Sequence, residues 1–191
     1  MSEDVATRAA EFFKGLQDRV CAGFEAADGH GKFVEPVWDR GAEHRLKGGG
    51  RMRVMRSSVF EKVGVNFSHV WGTMSEQGMA TMPGAKESNG QFSATGVSLV
   101  AHMANPYVPI VHMNVRCMKT SRLWFGGGAD LTPTFPFDVD TAAFHATFRA
   151  VCDDYRAGAY DEYKAWCDRY FYLPHRKEPR GVGGKIGRAH V

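Results

Sequence analysis

Two short strings concentrate the groups that can do chemistry in this chain. Ile110-Val111-His112-Met113-Asn114-Val115-Arg116-Cys117 places an imidazole, an amide and a guanidinium at every second position. Val97-Ser98-Leu99-Val100-Ala101-His102 places a hydroxyl and a second imidazole with the same parity as each other. Extended backbone sends alternate side chains to opposite faces, so Val97, Leu99, Ala101, Val111, Met113, Val115 and Cys117 are expected inside, with Ser98, His102, His112, Asn114 and Arg116 sharing the other face. Asn105-Pro106-Tyr107 reads as the hairpin between them. A register centred on Tyr107 sets His102 across from His112 and Ser98 across from Arg116. Solvated sheet faces carry Thr, Lys, Glu and Gln, whereas this one carries groups suited to proton transfer, anion clamping and metal ligation.

Other residues stand in the second rank. His145 and His175 fall in the helical part of the chain, and either can be a structural histidine or join the face. The H-E-x-x-H pattern is absent, so zinc-protease chemistry has no support. Gly48-Gly49-Gly50 lacks the Lys-Ser/Thr of a P-loop, and Gly126-Gly127-Gly128-Ala129-Asp130-Leu131 has Leu where a dinucleotide fingerprint needs glycine. Both triplets read instead as strand-end turns that let a flat ligand approach backbone closely, with Asp130 presented beside the second. Lys47, Arg51, Arg53 and Arg56 occur with no acid between them and read equally as a solvated edge or an anion-binding cluster.

The elements that must position these groups follow from periodicity. Val5, Ala9, Phe12, Leu16, Val20 and Phe24 recur at helical spacing from Glu3 to about Ala27, with Ser2 as the expected cap. From Lys32 to Thr132 short β-branched and aromatic runs alternate with Gly and Pro, which predicts a largely antiparallel sheet. Met74 to Asn89 reads as a loop. Helices are expected after Pro136 up to Gly158 and from about Asp161 to Tyr170. Helix, strands, then helices indicates an α+β fold in one domain.

Composition bounds the function classes. With 191 residues, 43% hydrophobic and 24% charged, the chain is globular. A net charge of +3 with interleaved acids gives no nucleic-acid signature. No apolar run reaches the ~20 residues of a membrane span, and the acidic start Met1-Ser2-Glu3-Asp4 is unlike a secretory signal. Cys21, Cys117, Cys152 and Cys167 are scattered without a C-x-x-C pair, which fits free thiols in a reducing compartment, so a cytoplasmic location is expected.

Several strings together resemble the oxygen-dependent coproporphyrinogen III oxidase family: Gly64-Val65-Asn66-Phe67-Ser68, Gly96 to His102, Asn105-Pro106-Tyr107-Val108-Pro109, His112 to Arg116, Trp124 to Pro133, and Tyr170 to Arg176 through Arg180-Gly181-Val182-Gly183-Gly184. The resemblance runs from the first helix to Gly184; Thr73 to Gly90 is less typical. It implies a large antiparallel sheet with helices on both faces, a homodimer, and oxidative decarboxylation of two propionates of coproporphyrinogen III to vinyls, giving protoporphyrinogen IX with dioxygen and no organic cofactor. It also implies substrate contacts at Ser98, Asn114, Val115 and Arg116, a proton donor at His112, and divalent-metal ligation by His102, His112, His145 and His175. Deprotonating a pyrrole N–H makes the ring reactive enough to meet dioxygen, and Asp130 is expected to bind such N–H groups. The Arg51, Arg53 and Arg56 cluster is expected to help Arg116 with the substrate's carboxylates. The alternative is a non-catalytic tetrapyrrole- or metal-binding protein using the same face.

The last seven residues, from Lys185 to Val191, match what a sequencing-library adapter encodes when read in frame. Residues 1–184 are therefore expected to be the N-terminal portion of a single domain that is incomplete at its C-terminus, and residues 185–191 a non-native tail.

Overall fold

A computed structural model describes residues 2–41 and 43–190. The elements in order are α1 (Ser2–Asp28), β1 (Val37–Asp39), β2 (Leu46–Met55), β3 (Lys62–Thr73), α2 (Glu76–Thr81), β4 (Gln91–His102), β5 (Ile110–Lys119), β6 (Leu123–Thr132), α3 (Asp138–Tyr155), α4 (Ala159–Tyr170), β7 (Tyr172–Leu173), β8 (Glu178–Pro179) and β9 (Gly184–His190). Seven strands form one antiparallel sheet in the order β1-β2-β3-β4-β5-β6-β9, and β7 and β8 make a separate two-stranded ribbon. The fold is α+β, as the order of patterns predicts.

The core lies between α1 and one sheet face. Ala9, Phe13 and Cys21 of α1 meet Val63, Val65, Phe67, Val97, Leu99, Ala101 and Cys117. Gln17, fully buried among them, donates through Nε2 to the carbonyls of Arg51 at 2.9 Å and Val65 at 2.8 Å, tying the helix to the sheet backbone. The α3–α4 pair packs against β9, and Trp166 and Tyr170 of α4 wall the opposite face beside Ser98 and His112. Helices thus flank both faces. All four cysteines are free and buried, and burial pushes each thiol pKa up, that of Cys167 to about 11.

Three expectations are corrected. The β4–β5 hairpin is centred two positions away in pairing sum: Val100 faces His112, Ser98 faces Asn114 and Gly96 faces Arg116. His102 lies beyond this ladder, across from Lys62 of β3. A shift of two leaves every side chain on its predicted face, because the side-chain period is two. The glycine triplets are not strand-end turns; they lie within β2 and β6. The stretch from Met74 to Asn89 holds α2, with Ser75 as N-cap accepting from the Gly78 amide at 3.3 Å. Gly184–His190 pairs with β6 as the edge strand β9. The capping role expected of Ser2 lies outside the described side chains.

Candidate active site

The face opposite α1 is assembled in cross-strand rows. One runs Met52, Asn66, Ser98, Asn114, Gly128; the next runs Gly50, Ser68, Gly96, Arg116, Gly126; a third runs Val54, Gly64, Val100, His112, Asp130. Strands spaced by about 4.8 Å and rising about 3.3 Å per residue make such rows a lattice, and the glycines leave it low. On β5, Arg116 stands between Gly96 and Gly126, Asn114 between Ser98 and Gly128, and His112 between Val100 and Asp130. A cavity of about 360 Å³ opens here, walled by Trp124, Trp166, Tyr170 and Phe171.

His112 is held from below. Its Nδ1 donates to Asp130 Oδ1 at 2.6 Å, and the Asp130 side chain is only 4% exposed. The other carboxylate oxygen accepts from Arg180 at 2.8 Å. With Nδ1 carrying the proton, Nε2 is the nitrogen left for the cavity, and the ring is 25% exposed there. Asn114 accepts from Arg116 at 2.9 Å through Oδ1, which turns its amide nitrogen toward His112 Nε2 at 3.5 Å. The line Arg180–Asp130–His112–Asn114–Arg116 can move a proton at Nε2 and hold an anion at the exposed Arg116.

Ser98, His112, Asn114 and Arg116 therefore meet as the sequence predicts. Asp130 meets them in another role: both oxygens are taken by protein donors, so it supports His112 instead of presenting itself to a ligand. Val115 points the other way and packs on the α1 core, leaving only its backbone on the site side. Arg51 and Arg53 also face α1, since they pair with Phe67 and Val65. There Arg53 meets Asp18 at 2.7 Å and also Glu35, and Arg51 meets Asp18 at 3.3 Å. Arg56 bonds the Glu61 carbonyl. Arg51 and Arg53 clamp α1 rather than extending the anion site. Arg180 was missed as a site residue, because its partner lies 50 residues away and no local spacing signals the pair.

The four histidines do not converge. His102 is exposed at the end of β4, lining a separate hollow with Lys62, Gly64 and Asn66. His145 Nδ1 bonds the Tyr160 hydroxyl at 2.5 Å, and its ring also bonds the Val182 backbone. Burial, then Lys164, lowers the His145 pKa, while burial raises that of Tyr160 to about 12, so both stay neutral. Their neutral pairing ties α3 to α4. His175 is exposed in the turn between β7 and β8. Among the described residues no three His, Cys, Asp or Glu side chains gather to hold a metal ion. The donor set does not fit a four-histidine centre.

Residues 8–186 match the family model described as coproporphyrinogen III oxidase. The chain belongs to the coproporphyrinogen III oxidase family. It is 50% identical over 184 residues to the oxygen-dependent coproporphyrinogen-III oxidase of Rickettsia bellii, and 47% identical to those of Rickettsia akari and Rickettsia rickettsii. Each alignment covers 92% of this chain and 64% of the relative, so the chain spans just under two thirds of the length of these oxidases. Among the described residues no helix is long and apolar enough to cross a membrane.

Proposed function

We propose that this chain carries the substrate floor and the proton-handling pair of an oxygen-dependent coproporphyrinogen III oxidase. The observation that carries the reading is the His112–Asp130 pair, set in a shallow glycine-lined face that carries the exposed Arg116. A flat tetrapyrrole rimmed with carboxylates suits such a surface: Gly96, Gly126 and Gly128 admit the ring, Arg116 grips a propionate with two parallel N–H donors, and Ser98 and Asn114 supply neutral hydrogen bonds.

For each propionate, the carboxylate departs as carbon dioxide and a hydrogen leaves the adjacent carbon with two electrons, forming the vinyl. Dioxygen takes the two electrons and two protons as hydrogen peroxide. His112 Nε2 is placed to take a proton from a pyrrole N–H, which raises the ring's electron density. It is equally placed to return a proton to reduced oxygen, with Asp130 stabilising the imidazolium between these events. No organic cofactor enters this sequence. The four free cysteines support a reducing compartment, and the reading places the protein in the cytoplasm. On the resemblance alone, the working unit is a homodimer.

The test is incubation of the protein, as this chain and at its relatives' length, with coproporphyrinogen III in air and under argon. Product is followed by porphyrin fluorescence after oxidation. Oxygen-dependent protoporphyrinogen formation at the relatives' length supports the reading. Tight binding without turnover at that length refutes it in favour of a carrier.

A further inference from the structure

The segment joining β8 to β9 is pressed into the sheet beside the site. The Val182 amide donates to the Leu131 carbonyl at 3.0 Å, and the Leu131 amide donates to Gly183 at 3.2 Å. Gly181 and Gly183 take φ of 57° and 74°, where glycine is favoured. A Cβ on Gly181 would lie 2.3 Å from the Leu131 carbonyl, so the turn can sit this close only without side chains. Arg180 at its head is fixed on three sides. Its amide donates to the Phe171 carbonyl at 3.1 Å, its guanidinium stacks on the Phe171 ring at 3.7 Å, and its Nη2 reaches the buried Asp130 carboxylate. From the helical layer, His145 engages the Tyr160 hydroxyl through Nδ1 and also bonds Val182.

We infer that the Arg180–Gly183 turn is a positioning device for His112: Arg180 fixes the Asp130 carboxylate, Asp130 fixes the His112 ring, and His145 secures the turn. This rests on the reading that His112 handles protons. Arg180 is a positioning residue, since Asp130 and His112 stand between it and the cavity. The bonds of the His145 ring to Tyr160 and Val182 give it work in the helical layer, so its contribution is mechanical. A carboxylate held at one oxygen only can swing away from Nδ1; with Arg180 on the second oxygen it has one orientation.

The test uses this chain labelled with ¹⁵N. The His112 Nδ1 proton, sheltered against Asp130, is identified by its loss in Asp130→Asn, and its exchange with water is measured. Arg180→Gln should speed that exchange at least tenfold, and Arg180→Lys, which keeps charge but not the stack or the fork, should fall between. If Arg180→Gln does not fold, Arg180→Lys alone decides, and a wild-type rate there overturns the inference. Unchanged exchange in folded Arg180→Gln overturns it too. Tyr160→Phe leaves the His145 ring intact for any other duty but removes its hydroxyl partner, so faster exchange supports the securing role and an unchanged rate refutes that role. A wild-type protein without turnover but with these exchange effects would refute the proposed activity and leave the positioning device standing.

Discussion

Replacing Asp130 by Asn tests the site at its centre. The wild-type carboxylate accepts two charge-assisted hydrogen bonds, at 2.6 Å from His112 and 2.8 Å from Arg180. Each such bond contributes about 1.5–3 kcal/mol. Asparagine keeps one acceptor oxygen, so one bond survives and the other is lost. The loss is partly offset because a buried charge, costly to desolvate, is gone. Arg180 is 38% exposed and can turn to water. A net destabilisation of about 1–2 kcal/mol follows, which for a domain of this size lowers the melting temperature by roughly 2–8 °C. The effect on chemistry is larger. If the surviving oxygen accepts from Arg180, the new amide N–H faces His112 Nδ1 and drives the ring proton to Nε2, where the acceptor is needed. Loss of a general base of this kind typically costs about 10²- to 10⁴-fold in rate. Turnover is assayed by porphyrin fluorescence on protein of the relatives' length, with melting on the same preparation. A folded variant retaining turnover within about threefold refutes the role given to the pair, on the scale expected for general acid–base catalysis.

Arg116→Lys should leave melting unchanged, because Arg116 is exposed and bonded to Asn114, while specificity falls roughly ten- to a hundredfold through loss of the two-pronged carboxylate grip; unaltered kinetics remove Arg116 from the site. Gly64→Val projects into open space, with nothing within 4 Å of its Cβ, so the fold should hold while coproporphyrin titration shows weaker binding. Tight binding there confines the ligand to the β5–β6 side. Burial, then Lys14, lowers the His69 pKa, so the folded state favours the neutral ring. Its contribution is therefore complete above the unfolded value of about 6.5 and is lost as pH falls through the folded value, with a slope of at most about 1.4 kcal/mol per pH unit. His69→Gln should flatten that acid limb in denaturant melts at stepped pH, and an unchanged limb assigns it to other groups. Gln17→Leu removes both donors to the sheet backbone and should cost about 1–3 kcal/mol by urea unfolding; a neutral effect shows that the two carbonyls find other partners.

What was legible in the sequence was local. Period-two alternation put Ser98, His112, Asn114 and Arg116 on one face, and this survived an error of register because the slip was an even number of residues. The same rule put Val115 inside, and there it stays. What was not legible depends on pairing between distant segments. Arg51 and Arg53 share one parity, but which face they take is decided by their partners Phe67 and Val65 on β3, and only then by the acids of α1 and Glu35. Asp130 looked available because nothing near it in sequence answers its charge; its partners arrive from β5 and from a turn 50 residues later. His145 and His175 carry no periodic signal that fixes their depth, and the fold gives one a tyrosine partner and leaves the other at the surface.

The burial of the four thiols bears on chemical durability. A reaction that reduces dioxygen by two electrons releases peroxide at every turnover, and peroxide attacks thiolates far faster than thiols. Cys117 lies on the α1 side of β5, behind the strand that carries His112, and Cys21, Cys152 and Cys167 are enclosed by other elements. Desolvation holds each of them protonated at neutral pH. On the activity proposed above, an oxidant formed over the glycine floor would meet four protonated, enclosed thiols rather than thiolates, and sulfenic acid should not form in the core.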